Sequence, residues 1–346
     1  MKQFRSFSII WVAYNEEFNL EPSLLAALGA IKFYNAEIGG KISVKIVICH
    51  NGCTDRTPEI AALIKKKYAD AAIKIDVISS SKGMVIAQNA SVKHIQKYRQ
   101  YNKSPVIFID TDSLVEKNLV YTFLEQFRKH PRLKAVGAQP VPIPFLGWRV
   151  DKLILDKILN CRAYYPKAEI AFNHAPEYHP YADKDPQKIG VDFEKRSKIY
   201  FHGRCFALRN PGIWDVPRQR IGEDTYLDRS IHYRFGPSSI RHLYDTHIIF
   251  RPMTSLRDFV RTYYRIYKDL ATLRESHSRF EKVREYSKTK LDWEYIGKLR
   301  LRWRLTFLLY AFIRNTCHVL FKYGLIYRNG DVSKIWSYSA KQKLNI

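Results

Sequence analysis

The sequence is poor in three things, and each shortage removes a class of protein. It holds only five cysteines (Cys49, Cys53, Cys161, Cys205 and Cys317) in 346 residues. So odd and scattered a set does not make a disulfide scaffold. Cys49 and Cys53 have CxxxC spacing, but no partner pair and no clustered histidines complete a zinc site. The expectation is reduced thiols with structural roles in a cytosolic environment. Long apolar runs are also missing: none reaches the ~20 residues a spanning helix needs. The nearest, Leu305 to Tyr327, is broken by Arg314, Asn315, His318 and Lys322. At the amino terminus a basic start, Met1-Lys2-Gln3-Phe4-Arg5, precedes a short apolar stretch, but Asn15-Glu16-Glu17 follows at once without a small-residue cleavage site. A first strand explains it better than a signal peptide, so the expected location is cytoplasmic and not secreted. Acidic residues are the third shortage, 33 against 58 Lys and Arg, which leaves a formal charge of +25. Such a charge attracts nucleic acid, an anionic membrane surface or phosphorylated substrates, without choosing among them.

What is present begins with an organising stretch. Val106-Ile107-Phe108-Ile109 behind Pro105 reads as a buried strand, and it stops at Asp110-Thr111-Asp112. A buried parallel strand presents ligand groups at its carboxyl end. If the extended geometry continues, Asp110 and Asp112 point to the same side. Two hard oxygen ligands without sulfur or histidine suit Mg²⁺ or Mn²⁺, and could clamp a nucleotide diphosphate. An acidic turn after a strand is the plainer alternative.

Around that stretch, strands and helices alternate. Ser8 to Tyr14, Val44 to Cys49 and Ile73 to Ile78 read as strands, each followed by a helical segment. Thr57 is the expected N-cap of the second helix, with Pro58 at its first position. A helix is expected from about Leu119 to Lys129. Such alternation implies a largely parallel sheet covered on both faces, with its carboxyl-edge loops sharing one site. Tyr14-Asn15-Glu16, Asn51 to Asp55, Lys82-Gly83 and Asp110 to Asp112 all fall there.

From Gln139 to Tyr200 the alternation fails. A helix is expected over Arg149 to Cys161, and the aromatic, polar stretch after it reads as an acceptor-binding loop. Ile199 to Arg209 reads as two strand pieces around Gly203, a point of close backbone approach, with His202, Gly203 and Arg204 expected at the acceptor. Glu223-Asp224 sits at a helix start, where simple capping is the plain reading. Beyond Phe250 the chain turns helical, basic and aromatic. Arg257, Arg261 and Arg265 share a helix face and could meet an acceptor phosphate. For Arg300, Arg302, Arg304 and the following apolar stretch, a solvated charged face and an interfacial helix on anionic headgroups both fit. The expected organisation is one domain over 1–250, in a first half (1–138) and a second half that holds the acceptor loop (139–250), plus a basic helical region over 251–346.

Taken as an ordered set, the motifs from about Ser8 to Leu227 resemble the family 2 glycosyltransferases, the inverting enzymes of the GT-A fold. Val12-Ala13-Tyr14-Asn15-Glu16-Glu17 is similar to that family's first-strand signature near the nucleobase. Asn51-Gly52-Cys53-Thr54-Asp55-Arg56-Thr57 resembles its second-strand turn, with His50 and Asn51 standing where aspartates are common. Lys82-Gly83, with Ala87 and Asn89, resembles its Lys-Gly element near the donor. The resemblance implies a donor site of Ala13, Tyr14, Glu16, Asn51, Asp55, Lys82, Gly83 and Asp110. It implies a metal, Mn²⁺ or Mg²⁺, held most directly by Asp112, with Asp110 on the ribose or the metal. Glu223-Asp224 matches the family's acidic pair, which implies that Asp224 is the general base. The chemistry agrees: inversion needs a base across the sugar from the metal, and a neighbouring Glu223 would raise that base's pKa by like-charge repulsion.

The implied fold is therefore a GT-A, Rossmann-like α/β domain with a mixed, mostly parallel sheet and a basic helical C-terminal extension. The implied function is metal-dependent, inverting transfer of one sugar from a nucleotide-diphosphate sugar, UDP-sugar favoured, to a lipid-linked or saccharide acceptor. The Gln-x-x-Arg-Trp motif of processive members is missing; Thr262-Tyr263-Tyr264-Arg265-Ile266 is the nearest stretch. A sugar nucleotidyltransferase should carry a Gly-rich, basic loop after the first strand, which Tyr14-Asn15-Glu16-Glu17 is not. A nucleic-acid-binding protein gives no reason for carboxylates at strand ends, so no nucleic-acid partner is expected. An inactive scaffold is the remaining alternative, and the intact Asp110, Asp112 and Asp224 oppose it.

Overall fold

The computed structural model describes residues 3–144, 148–171, 200–220 and 222–326. In chain order the main elements are β1 (Ser6–Ala13), α1 (Leu20–Glu37), β2 (Ser43–Asn51), α2 (Thr57–Tyr68), β3 (Ile73–Ser80), α3 (Met84–Gln96), β4 (Val106–Asp110), β5 (Ser113–Val115), α4 (Leu119–Lys129) and β6 (Ala135–Pro142). There follow α5 (Val150–Leu159), β7 (Glu169–Ala171), β8 (Cys205–Leu208), α6 (Asp224–Phe235), β9 (Ile240–Phe250), α7 (Leu256–Ser276), β10 (Thr289–Leu291) and α8 (Leu301–Lys322). The expected acceptor loop falls largely on residues 172–199, outside the described residues, as does the end of the C-terminal region.

Among the described residues the chain forms two compact units, one from Met1–Pro140 with Ile199–Phe250, the other from Val141–Lys198 with Arg251–Lys341. The expected 139–250 half is thus divided, because residues after Pro140 pack with the C-terminal helices. In the first unit an eight-stranded sheet runs in the order β3-β2-β1-β4-β8-β6-β9-β5. β1 pairs in parallel with β2 and β4, and β2 with β3. β8 runs antiparallel to β4 and β6, and β5 antiparallel to β9. This is the mixed α/β architecture the alternation implies.

β1 is central because it is apolar on both faces: Phe7, Ile9, Ile10 and Trp11 are all buried. The Trp11 indole donates to Ser23 Oγ of α1 at 3.0 Å, which satisfies the polar end of a buried ring. Phe108 of β4 stacks on Phe206 at 4.6 Å and on Trp214 at 4.9 Å between ring centroids. Trp214 in turn donates to Asn89 Oδ1 at 2.6 Å, so Asn89 serves packing. Arg209, just past β8, donates to the carbonyls of Phe127, His130 and Leu133 around the end of α4. A cationic side chain suits that helix end.

The second unit has its own core. Ile158 and Leu159 of α5 join Phe259 and Tyr264 of α7 and Phe307, Tyr310, Cys317 and Phe321 of α8. β7 and β10 form a two-stranded antiparallel pair. Among the described residues no helix is long and apolar enough to cross a membrane.

Candidate active site

Parallel pairing carries several motif loops to one edge. Register sets Ala13 opposite His50 and Val12 opposite Asp110, while Asn51 lies opposite Ser80. The strands therefore end together, and the loops after β1, β2, β3 and β4 form one rim.

Side chains knit that rim. Asn51 is buried; its amide donates to the Ala13 carbonyl at 2.9 Å and accepts from the Gly83 N–H at 3.1 Å. An aspartate could only accept, so an amide is needed to bridge these two groups. Asn51 thus binds loops to one another. Asn15 adopts φ +57° and its Oδ1 accepts from Thr54 N at 2.8 Å. Asp55 accepts from Thr57 N and Oγ1 at 3.0 and 2.6 Å and from Glu17 N at 3.1 Å. Thr57 was expected to cap α2. It is instead the first helical residue, and its hydroxyl accepts from Glu16 N at 2.7 Å. Gly52, at φ +62°, lets the chain pass Lys82, since a Cβ there would lie 3.0 Å from Lys82 Cβ. The Lys82 ammonium sits 4.6 Å over the Tyr14 ring. Ala13, Tyr14, Glu16, Asn51, Asp55, Lys82 and Gly83 are therefore linked in one network.

Glu16 connects that network to the acidic motif. Burial, then the Asp112 charge, pushes its carboxyl up to about 8, against the Asn19 amide that donates to it at 2.6 Å. A protonated Glu16 adds no negative charge beside Asp112 near neutral pH.

At the acidic motif the geometry departs from simple alternation. β4 ends at Asp110, Thr111 turns to donate its hydroxyl to the Val12 carbonyl at 2.8 Å, and β5 begins at Ser113. Asp112 is placed by a turn, with its Oδ1 accepting from Ser113 Oγ at 3.2 Å. Arg204, expected at the acceptor, lies against Asp112: its Nη1 is 3.2 and 3.3 Å from the two carboxylate oxygens, and its guanidinium stacks 4.2 Å over Phe250. Among the described residues no group of three His, Cys, Asp or Glu side chains could hold a metal ion. The oxygen donors of Asp110 and Asp112 suit Mg²⁺ or Mn²⁺ in type.

Gly203 lies close to both acidic motifs. It lines a small pocket with Ile10, Val12, Met84, Gln88, Phe108, Ile109 and Asp110. A Cβ on Gly203 would meet Asp224 Oδ2 at 3.1 Å and Glu223 Oε1 at 3.2 Å. The close approach read from the sequence is thus to the acidic pair itself. Gly137 of β6 makes the same segment possible, because a Cβ there would overlap Phe201 and lie 2.9 Å from its Cα. The Arg204 N–H donates to His202 Nδ1 at 3.3 Å, and its carbonyl accepts from Asp110 N at 2.8 Å. Glu223 precedes α6 and is buried, while Asp224 is its first residue and accepts from Thr225 N at 2.7 Å. No side-chain cap bond from Glu223 closes α6. Glu223 therefore does not act as a side-chain cap of α6.

Arg261 and Arg265 lie one turn apart on α7, in the second unit. Two features escaped the sequence reading. One is the Arg204–Asp112 ion pair, which no spacing announces. The other is Gln88, buried in the pocket wall with its Oε1 unbonded; its place after Ala87 in the Lys-Gly element was the available signal.

Comparison with known proteins agrees with this fold. The sequence model of "Glycosyl transferase family 2" matches residues 8–215. A poly-beta-1,6-N-acetyl-D-glucosamine synthase of Staphylococcus epidermidis is 24% identical over 234 residues, 67% of this chain and 47% of that protein. A Staphylococcus aureus protein of the same name is 26% identical over 138 residues, 40% of this chain and 29% of its own. The chain thus spans about half the length, or less, of these curated relatives. Among solved structures, the mannosyltransferase PcManGT of Pyrobaculum calidifontis, in complex with GDP-Man and Mn²⁺, superposes with a TM-score of 0.51 at 13% identity. That match covers 98% of this chain and 84% of the other.

Proposed function

The chain belongs to glycosyl transferase family 2, and from that membership and the rim geometry we propose that it is a metal-dependent, inverting glycosyltransferase. The observation that carries this reading is Gly203, which lines a small pocket together with Asp110 and whose Cβ position lies within 3.2 Å of carboxylate oxygens of both Glu223 and Asp224. A donor's leaving diphosphate and an acceptor's attacking hydroxyl need groups of this kind on opposite sides of the anomeric carbon.

In this reading the β1, β2 and β3 loops seat the nucleotide, with Tyr14 and Lys82 at its phosphates and base. Asp110 and Asp112 hold Mn²⁺ or Mg²⁺, which neutralises charge on the leaving diphosphate. Arg204 leaves Asp112 on donor binding and turns to the incoming phosphates, an arginine's usual partner. Asp224 takes the proton of the acceptor hydroxyl, and buried Glu223 positions it. The donor is a nucleotide-diphosphate sugar with UDP favoured. The pyrobaculum neighbour holds GDP-Man with Mn²⁺, so a GDP-sugar is the first competitor. The acceptor is a lipid-linked or surface-polysaccharide precursor, approached at the cytosolic face of a membrane.

The staphylococcal relatives are named for polymer synthesis. Transfer of a single sugar is proposed here because Gln-x-x-Arg-Trp is missing. Thermal-shift and hydrolysis screening of UDP-, GDP- and dTDP-sugars with and without Mn²⁺, on wild type and Asp112→Ala, tests the donor reading. One donor should stabilise the protein only with metal, and not in the variant; no response to any nucleotide sugar contradicts the proposal.

A further inference from the structure

α8 carries apolar side chains on both of its faces, and only one face is used. Phe307, Tyr310, Cys317 and Phe321 are buried in the second unit's core, where Phe321 meets Tyr264 at 5.1 Å and Phe307 meets Tyr165 at 6.5 Å between ring centroids. Opposite them Leu301, Leu305, Leu308, Phe312 and Val319 are exposed, from 49% for Val319 to 70% for Phe312. At 3.6 residues per turn the steps from 301 to 305, 308, 312 and 319 fall along one stripe. Leu309, Tyr323 and Leu325 widen it at its edge and end. An apolar stripe of this length in water signals a partner.

Charge identifies the partner's chemistry. From Lys298 to Tyr323 the chain has Lys298, Arg300, Arg302, Arg304, Arg314 and Lys322 and no Asp or Glu. Arg302 and Arg304 are exposed and project on either side of the leucine stripe. A second copy of a chain with a formal charge of +25 would be repelled at close range. A surface that is apolar beneath and anionic above meets both features.

We propose that the exposed face of α8 docks on an anionic lipid bilayer, with the helix lying in the plane of the interface. Leu301, Leu305, Leu308 and Phe312 enter the acyl boundary while Arg300, Arg302 and Arg304 stay at the lipid phosphates. This deepens the membrane-side reading of the acceptor and names the residues that would bring it about. Its test reads binding alone, so docking and sugar transfer can fail independently.

The experiment is co-sedimentation of the full chain with vesicles of phosphatidylcholine, with and without phosphatidylglycerol, across a salt series. Two variants accompany it, Leu305→Ser/Leu308→Ser/Phe312→Ser and Arg300→Gln/Arg302→Gln/Arg304→Gln. All six positions are exposed, and unchanged circular dichroism and melting verify the folds. Wild type should bind the anionic vesicles and be released by salt. The arginine variant should bind on the order of 100-fold more weakly, from about fivefold per charge, and the serine variant about tenfold or more. Equal binding to both vesicle types, or a serine variant that binds like wild type, overturns the proposal. So does a wild type that ignores vesicles but dimerises through this face in sedimentation velocity.

Discussion

Replacing Gly203 with alanine probes the acidic pair through the backbone, without altering a polar group. The added carbon would stand 3.1 Å from Asp224 Oδ2, 3.2 Å from Glu223 Oε1 and 3.4 Å from Asp224 Cβ. Ordinary contact begins at 3.4 Å, so both carboxylate oxygens must retreat by a few tenths of an ångström. Gly203 is not among the positive-φ glycines, so alanine adds no backbone strain. A misplacement of ~1 Å at a reacting group costs ~100-fold. A shift of about a third of that scales to a loss of about fivefold in kcat. Donor hydrolysis, with water as acceptor, reads kcat and the donor KM, while thermal melting reads the fold. The expected result is a fall of about 5- to 10-fold in kcat, with donor KM and melting temperature nearly unchanged. An unaltered kcat would refute the placement of the base beside Gly203.

Three further outcomes follow from the rim. Asn51→Asp moves the turn towards the aspartates common in the family, yet it should cost about 1–3 kcal/mol in denaturant unfolding, because the buried Ala13 carbonyl loses its amide donor and keeps only the weak Cys53 thiol at 3.4 Å; unchanged stability would show that Asn51 is not the bridge. Glu16→Gln, measured in chelator, tests the carboxyl raised to about 8 by burial. Below the unfolded value of about 4.3 wild-type Glu16 is protonated in both states. As pH climbs from there to about 8 only the unfolded state ionises and wild type loses stability, so the glutamine variant should gain on it by up to a few kcal/mol. A pH-independent difference would contradict that origin. Arg204→Gln frees Asp112 from its ion pair, and calorimetric Mn²⁺ affinity should rise about fivefold, the equivalent of roughly 1 kcal/mol for a partly exposed pair; weaker binding would show that Arg204 supports the cation site.

Much of the first unit was legible because its signals are local. Apolar runs bounded by polar turns marked β1, β2 and β4, and α4 starts and ends where its apolar pattern does. What was not legible depended on which groups satisfy one another in space. Asn51 resembled a ligand in a motif, and no sign in the sequence showed that its amide also bridges Ala13 and Gly83. Alternation placed Asp110 and Asp112 on one side of a strand, whereas Thr111 leaves the strand to bond Val12. Thr57 had the chemistry of a cap but bonds Glu16 and Asp55. The grouping of residues after Pro140 with the C-terminal helices depended on long-range packing, as did the division of α8 into used and unused apolar faces.

The most direct measurement is release of sugar from the identified donor by Asp224→Asn, alongside the same protein's thermal shift with donor and Mn²⁺. A base at Asp224 predicts a wild-type shift with turnover reduced on the order of 100- to 10,000-fold. Turnover close to wild type, in a variant that still binds donor, would remove Asp224 from the chemistry and with it the central claim.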